Sequence, residues 1–146
     1  MAGLIGGHAT RAGTEACAAT LGAALAPGHY SLLRPQRLQL SSLGIGTFPG
    51  AATDAVDCAY GDIVHRAVLS GFNVVDTADH YRYGRSARAA GAGLRSAFAE
   101  GLTREQVFVI SKGGFLRFDD GIPDDIDAWF ETHIARKGVG TRGDLT

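Results

Sequence analysis

The sequence predicts an α/β fold with a parallel sheet, and two observations carry that prediction. Three short apolar runs, at 41–48, 73–79 and 107–114, alternate with two segments whose apolar residues recur at spacings of three and four. Each run ends in polar or ionisable residues: Thr47, then Asp76 and Asp79, then Lys112. Strand, helix, strand, helix, strand joined by right-handed crossovers makes a parallel sheet, and the carboxyl edge of such a sheet is where sites are assembled.

Taken in order, the alanine-rich stretch TEACAATLGAAL (14–25) predicts a first helix, broken by PGH at 27–29. HYSLLRPQRLQL (29–40) predicts a hairpin that turns at Arg34, Pro35 and Gln36. SSLGIGTF (41–48) reads as a buried strand that something approaches closely at Gly44 and Gly46. Thr53 or Asp54 caps the next helix, with Val56, Tyr60, Ile63, Val64, Ala67 and Val68 on one face and Gly71 at its end. In NVVDTAD (73–79) the apolar residues are continuous rather than alternating, which predicts a strand covered on both faces.

Ser86 is placed to cap the following helix, RSARAAGAGLRSAFAEG, whose apolar face is Ala90, Leu94, Ala97 and Phe98 and which Gly101 ends. VFVISKGG (107–114) is the third strand. After the loop GGFLRFDDGIPDD, residues 124–138 predict a helix, acidic at its start, basic at its end and stopped by Gly138, as the helix dipole favours. TRGDLT (141–146) is expected to add no fourth strand.

Composition narrows the function classes. The chain has 146 residues, 45% hydrophobic and 20% charged, with a net charge of −1, which is the balance of a globular protein and offers no basic footprint for nucleic acid or an anionic membrane. No window approaches the roughly 18 apolar residues of a membrane helix, and Gly6, Gly7, His8 and Arg11 break the opening stretch before a secretory signal forms. Cys17 and Cys58 lie in no metal-type spacing and the five histidines show none either, so no metal is expected. The two thiols read as those of a reducing compartment, and the protein as cytoplasmic.

The informative pattern is FNVVDTADHY (72–81) with Lys112 one β/α unit later. An ammonium near a phenol favours the phenolate, and an aspartate beside the ammonium holds it in place. A tyrosine so tuned can give its proton to a carbonyl oxygen while hydride reaches the carbon. Each residue also has a plainer reading. Asp76 alone fits a carboxylate in a capped turn, Tyr81 a packing residue, and Lys112 a solvated strand end. Tyr60 and Tyr83 are better suited to packing. His80 and His133 read as surface or half-buried, and Trp129 and Phe130 as apolar anchors. Gly3, Gly6 and Gly7 follow no strand, so they form no dinucleotide fingerprint.

GFNVVDTADHY, GRS at 84–86 and GAGL at 91–94 together resemble the signature of the aldo-keto reductases. SLGIGTF resembles that family's first barrel strand and VFVISKGG the strand bearing its lysine, so the likeness runs from about Leu38 to Phe115. The resemblance implies a (β/α)8 TIM barrel and reduction of small aldehydes or ketones by hydride from NADPH. It implies catalytic roles for Asp76, Tyr81 and Lys112, with Tyr81 the general acid. Gly46, Thr47 and Asp76 would be its cofactor-binding residues. The family usually has a glutamate where Ala87 stands. Its fourth catalytic residue, a histidine ending a fourth strand, has no counterpart, since His133 falls inside a predicted helix.

Such a barrel takes about 250 residues, so the chain is expected to be a partial barrel: an N-terminal extension over 1–28 and an incomplete barrel domain over 29–146, holding the first three β/α units. Unpaired edges at the first and third strands would then favour self-association. A non-catalytic remnant or interaction fragment is the alternative to a reductase. A flavodoxin-like binding protein is a third reading, disfavoured because no phosphate-cradling loop follows the first strand.

Overall fold

The computed structural model describes residues 3–119 and 121–138. The first helix, α1 (Arg11–Leu21), starts at Arg11 rather than Thr14, because Thr10 caps it by accepting from the Gly13 N–H at 3.0 Å. Thr14 is buried inside the helix, where its hydroxyl accepts from the Gln39 N–H at 3.1 Å. That bond fastens α1 to the hairpin, whose strands β1 (Tyr30–Leu33) and β2 (Leu38–Ser41) pair antiparallel, with Tyr30 opposite Ser41 and Leu33 opposite Leu38. The turn falls at 34–37, as the proline predicts.

Asn73 decides where the hairpin sits. It is fully buried just before the strand Val74–Asp76; its Oδ1 accepts from the Ser41 N–H at 2.8 Å, and its Nδ2 donates to the Gln39 carbonyl at 2.9 Å and the Gln106 carbonyl at 3.3 Å. A buried amide with these partners met is stabilising where an unmet one would be costly. The hairpin is thereby pinned under the amino ends of the parallel strands, and their carboxyl ends are left clear.

Those strands are β3 (Ile45–Gly46), β4 (Val74–Asp76) and β5 (Phe108–Ile110), in the order β3-β4-β5, with Gly46 level with Asp76 and Asp76 level with Ile110. They form a small, open, parallel sheet. Between them run α2 (Asp54–Leu69), capped by Thr53, and α3 (Arg85–Ala99). Val64, Val68, Val75, Ala90, Leu94, Ala97 and Val107 make one core, so both helices lie on the same face of the sheet. The expectation that β4 is covered on both faces is corrected accordingly. Val75 is fully buried under the helices, whereas Val74 is half-buried and Ile110 of the neighbouring strand is exposed. Two consecutive crossovers on one side bury one face only.

The turn glycines behave as predicted at the helix ends. Gly71 has φ +92°, with its N–H on the Val68 carbonyl at 3.2 Å and the Phe72 N–H on the Ala67 carbonyl at 3.0 Å, a Schellman closure that a residue with a Cβ would strain. The close approach expected of the first strand occurs at Gly44, where a Cβ would lie 2.9 Å from Val74 Cγ1; at Gly46 the corresponding space is open.

Ser86 does not cap α3. Gly84 holds the N-cap position at φ +78°, and Ser86 lies buried within the helix, donating to the Thr47 carbonyl at 2.6 Å. The hydroxyl donates to the carbonyl left over at the end of β3 instead of accepting from a helix N–H. The last predicted helix is divided: α4 (Ile126–Phe130), capped by Asp125, passes into a wider π-helical turn over Glu131–Ala135. Phe130 is buried, and the Trp129 ring packs on Phe118 at 4.9 Å and stacks with His133 at 4.8 Å. The strandless end predicted for 141–146 lies outside the described residues.

Candidate active site

Four elements meet at the carboxyl edge of the sheet. Asp76 is the last residue of β4, Thr47 follows β3, Lys112 follows β5, and Tyr81 stands on the loop between β4 and α3. Thr47 is buried and donates both its N–H and its hydroxyl to the Asp76 carbonyl, each at 3.1 Å. Because the backbone of Asp76 is engaged there, its carboxylate is left for Lys112. The Lys112 ammonium donates to Asp76 Oδ1 and, at 3.1 Å, to the Thr77 carbonyl. The same ammonium lies 4.9 Å from the centroid of the Tyr81 ring. The structure thus brings together Asp76, Tyr81 and Lys112, with Gly46 and Thr47 beside them.

The ion pair is open to water: the side chains of Lys112 and Asp76 are 41% and 43% exposed. The residues after β5 carry Lys112 past the cover of α2 and α3, which shield the opposite face of the sheet. The Asp76 carboxylate, and with less effect the Tyr81 hydroxyl, hold the Lys112 pKa above its ordinary 10.5, against a smaller opposing effect of burial. A raised folded-state pKa contributes stability that is complete below the unfolded value and lost as pH rises through the folded one. The unfolding midpoint of Lys112→Met is therefore expected to fall short of the native chain's at neutral pH. The two midpoints should converge as pH is raised above about 10.5; a gap independent of pH would show that the charge is not what matters.

Aromatic rings surround Tyr81. Phe48 stands edge-on at 5.0 Å and His80 at 4.9 Å, and His80 in turn contacts Phe115 at 4.9 Å. Asp79, grouped with the strand-end polar residues by sequence, faces His80 instead, with Oδ1 3.4 Å from Nδ1. Its backbone N–H donates to the Lys112 carbonyl at 3.3 Å. The histidine contact was not legible in the sequence, and neither was the part played by Arg82 and Arg85, which pair with Asp57 and Asp54 at the start of α2. The signal present was two arginines in YRYGR and two aspartates one turn apart, which charge patterning alone assigns to solvated helix ends.

Tyr60 does pack, donating to the Pro49 carbonyl at 2.7 Å. His133 stays on the helix segment beyond α4, with Nδ1 2.9 Å from the Trp129 carbonyl. Cys17 is buried, with Sγ 3.7 Å from the Tyr30 hydroxyl, and burial pushes its pKa up; Cys58 is an exposed free thiol. Among the described residues no group of three or more histidine, cysteine or carboxylate side chains could hold a metal ion, and no helix is long and apolar enough to cross a membrane.

The model of the aldo/keto reductase family matches residues 42–141, a span that includes every residue of this cluster. The chain belongs to the aldo/keto reductase family. The match takes in most of the stretch from Leu38 to Phe115 that carries the resemblance and extends beyond it. No curated protein matches the chain. As an aldo/keto reductase family member it is assigned to an oxidoreductase class whose members use NAD(P)H and act on small carbonyl compounds.

Proposed function

We propose that the edge cluster is the catalytic site of an NADPH-dependent reductase of aldehydes or ketones. The observation that carries this is the Lys112 ammonium, tied to Asp76 and set 4.9 Å from the Tyr81 ring. Bound NADPH would supply the hydride. Tyr81 gives its phenolic proton to the substrate oxygen as carbon accepts that hydride, so the carbonyl becomes an alcohol and the phenolate regains a proton from water. The Lys112 ammonium stabilises the charge that develops on the phenol oxygen. Asp76 fixes the ammonium through a charge-assisted hydrogen bond.

Gly46, Thr47 and Asp76 would hold the nicotinamide side. The fit rests on Gly46: no heavy atom lies within 4 Å of where its Cβ would stand, so open space adjoins Asp76 at the sheet edge. The same reading takes residues 29–146 as an incomplete barrel domain holding the first three β/α units of a (β/α)8 barrel, with 1–28 as an N-terminal extension. The sequential strand order and the two helices on one face support it. The free thiols fit a cytoplasmic setting. Copies of the chain would associate through the edges of β3 and β5, and a monodisperse monomer that unfolds cooperatively would count against that.

One observation favours a non-catalytic role for the chain alone: in water an exposed pair such as Lys112 and Asp76 interacts weakly. Isotope transfer decides between the two. Incubation with NADPH carrying deuterium at both nicotinamide C4 positions and a reactive aldehyde is expected to place deuterium on the alcohol carbon. Alcohol without deuterium, or no alcohol, would remove the reductase reading.

A further inference from the structure

Tyr81 is followed by three residues in the left-handed region, Arg82 at φ +51°, Tyr83 at +58° and Gly84 at +78°. Only one is a glycine. Side chains with a Cβ rarely adopt this backbone, and it persists where the surroundings over-determine it.

Here the surroundings are the Arg82 guanidinium and what it grips. Its side chain is 2% exposed, more deeply buried than the catalytic candidates it adjoins. Nε donates to the Ala51 carbonyl at 3.0 Å, and Nη2 donates to the Thr53 carbonyl at 3.3 Å and to Asp57 Oδ1 at 2.5 Å. The guanidinium carbon lies 5.2 Å from the centroid of the Tyr60 ring. Arg85 adds contacts to Asp54 and, at 2.7 Å, to Asp57 Oδ2. The loop after Tyr81 is thus fastened to the segment that follows Phe48, and Phe48 is the ring set against Tyr81. Nη1 of Arg82 is buried with no hydrogen-bond partner among the described residues, so the burial of this cation is not fully compensated. A buried charge held on those terms is a poor source of stability and a strong constraint on geometry.

We propose that Arg82 is a positioning residue. Seated on Ala51, Thr53 and Asp57, its guanidinium holds the left-handed turn that aims the Tyr81 phenol at the Lys112–Asp76 pair. The inference rests on the role proposed for Tyr81, but the geometry it claims is measurable without turnover. Lysine cannot replace the guanidinium, because a compact ammonium lacks the planar fork that reaches three acceptors in fixed directions.

The test compares the full chain with Arg82→Lys and Asp57→Asn, using carbon-13 labelled tyrosine and phenylalanine, with the Tyr81 signal identified by its loss in Tyr81→Phe. The native chain is expected to show a nuclear Overhauser contact between the Phe48 and Tyr81 rings. Arg82→Lys should keep native helix content and cooperative unfolding yet lose that contact, and kcat should fall on the order of 10²-fold with KM little changed. Asp57→Asn, which leaves the carbonyl acceptors in place, should weaken the contact less. Loss of the contact in a chain that turns over no carbonyl would uphold the positioning role while ending the reductase reading. A folded Arg82→Lys with the contact intact would overturn the proposal whatever its activity. So would unfolding of both variants, since Arg82 would then serve stability rather than aim.

Discussion

Tyr81→Phe is expected to lower kcat for carbonyl reduction by about 10²- to 10⁴-fold, the range over which a positioned proton donor contributes. Phenylalanine keeps the ring that packs against Phe48 and His80, so helix content and the unfolding midpoint should stay near those of the native chain. Lys112→Met should produce a loss of similar size, because the ammonium acts through the phenol oxygen. The double variant should then be little worse than either single one, as residues that act as a unit are far from additive. Steady-state NADPH oxidation with a reactive aldehyde measures all three. A native rate in Tyr81→Phe would return Tyr81 to the packing role that its sequence context also allows.

The largest effect on stability is expected at Gly93. A Cβ there would lie 2.3 Å from the Gly61 carbonyl oxygen, 3.0 Å from Val64 Cβ and 3.1 Å from the His65 N. The obstruction is mostly α2 backbone, so relief requires α2 and α3 to move apart. Overpacking of this kind costs about 1–3 kcal/mol and sometimes more, against about 1 kcal/mol gained in helix propensity by replacing glycine with alanine. Gly93→Ala should therefore lose up to about 2 kcal/mol net, with a midpoint lower by up to about 4–8 °C for a domain of this size. Gly91→Ala is the control. Its Cβ would come no nearer than 3.6 Å to Arg95, so it should be neutral or stabilising. Equal destabilisation by both substitutions would show that close approach of the helices is not the cause.

Gly93 marks a limit on what could be seen beforehand. GAGL at 91–94 is part of the family pattern, yet nothing local separates Gly91, which faces an arginine, from Gly93, which faces a second helix. The same limit applies to Ser86. A serine shortly after a glycine near a helix start is a sound cap by position, but a carbonyl 39 residues earlier takes its hydroxyl. At Asp79 the local reading grouped it with Asp76, and the loop turned it towards His80. Thr53 and Gly71 came out as predicted because a cap and a left-handed helix end depend on neighbours within five residues.

By itself the sequence determined the order of elements, the parallel sheet and the edge on which Thr47, Asp76 and Lys112 stand. Hydrophobic periodicity and turn chemistry act over one or two helical turns, and they leave polar residues at each strand's end whatever lies farther along the chain. Tertiary structure alone decided that both helices cover one face, that the Lys112–Asp76 pair stays open to water, and that Arg82 is buried on Asp57, 25 residues away. Those outcomes depend on which distant groups reach a buried donor or acceptor first, and a hydrogen bond across such a separation has no local pattern to announce it.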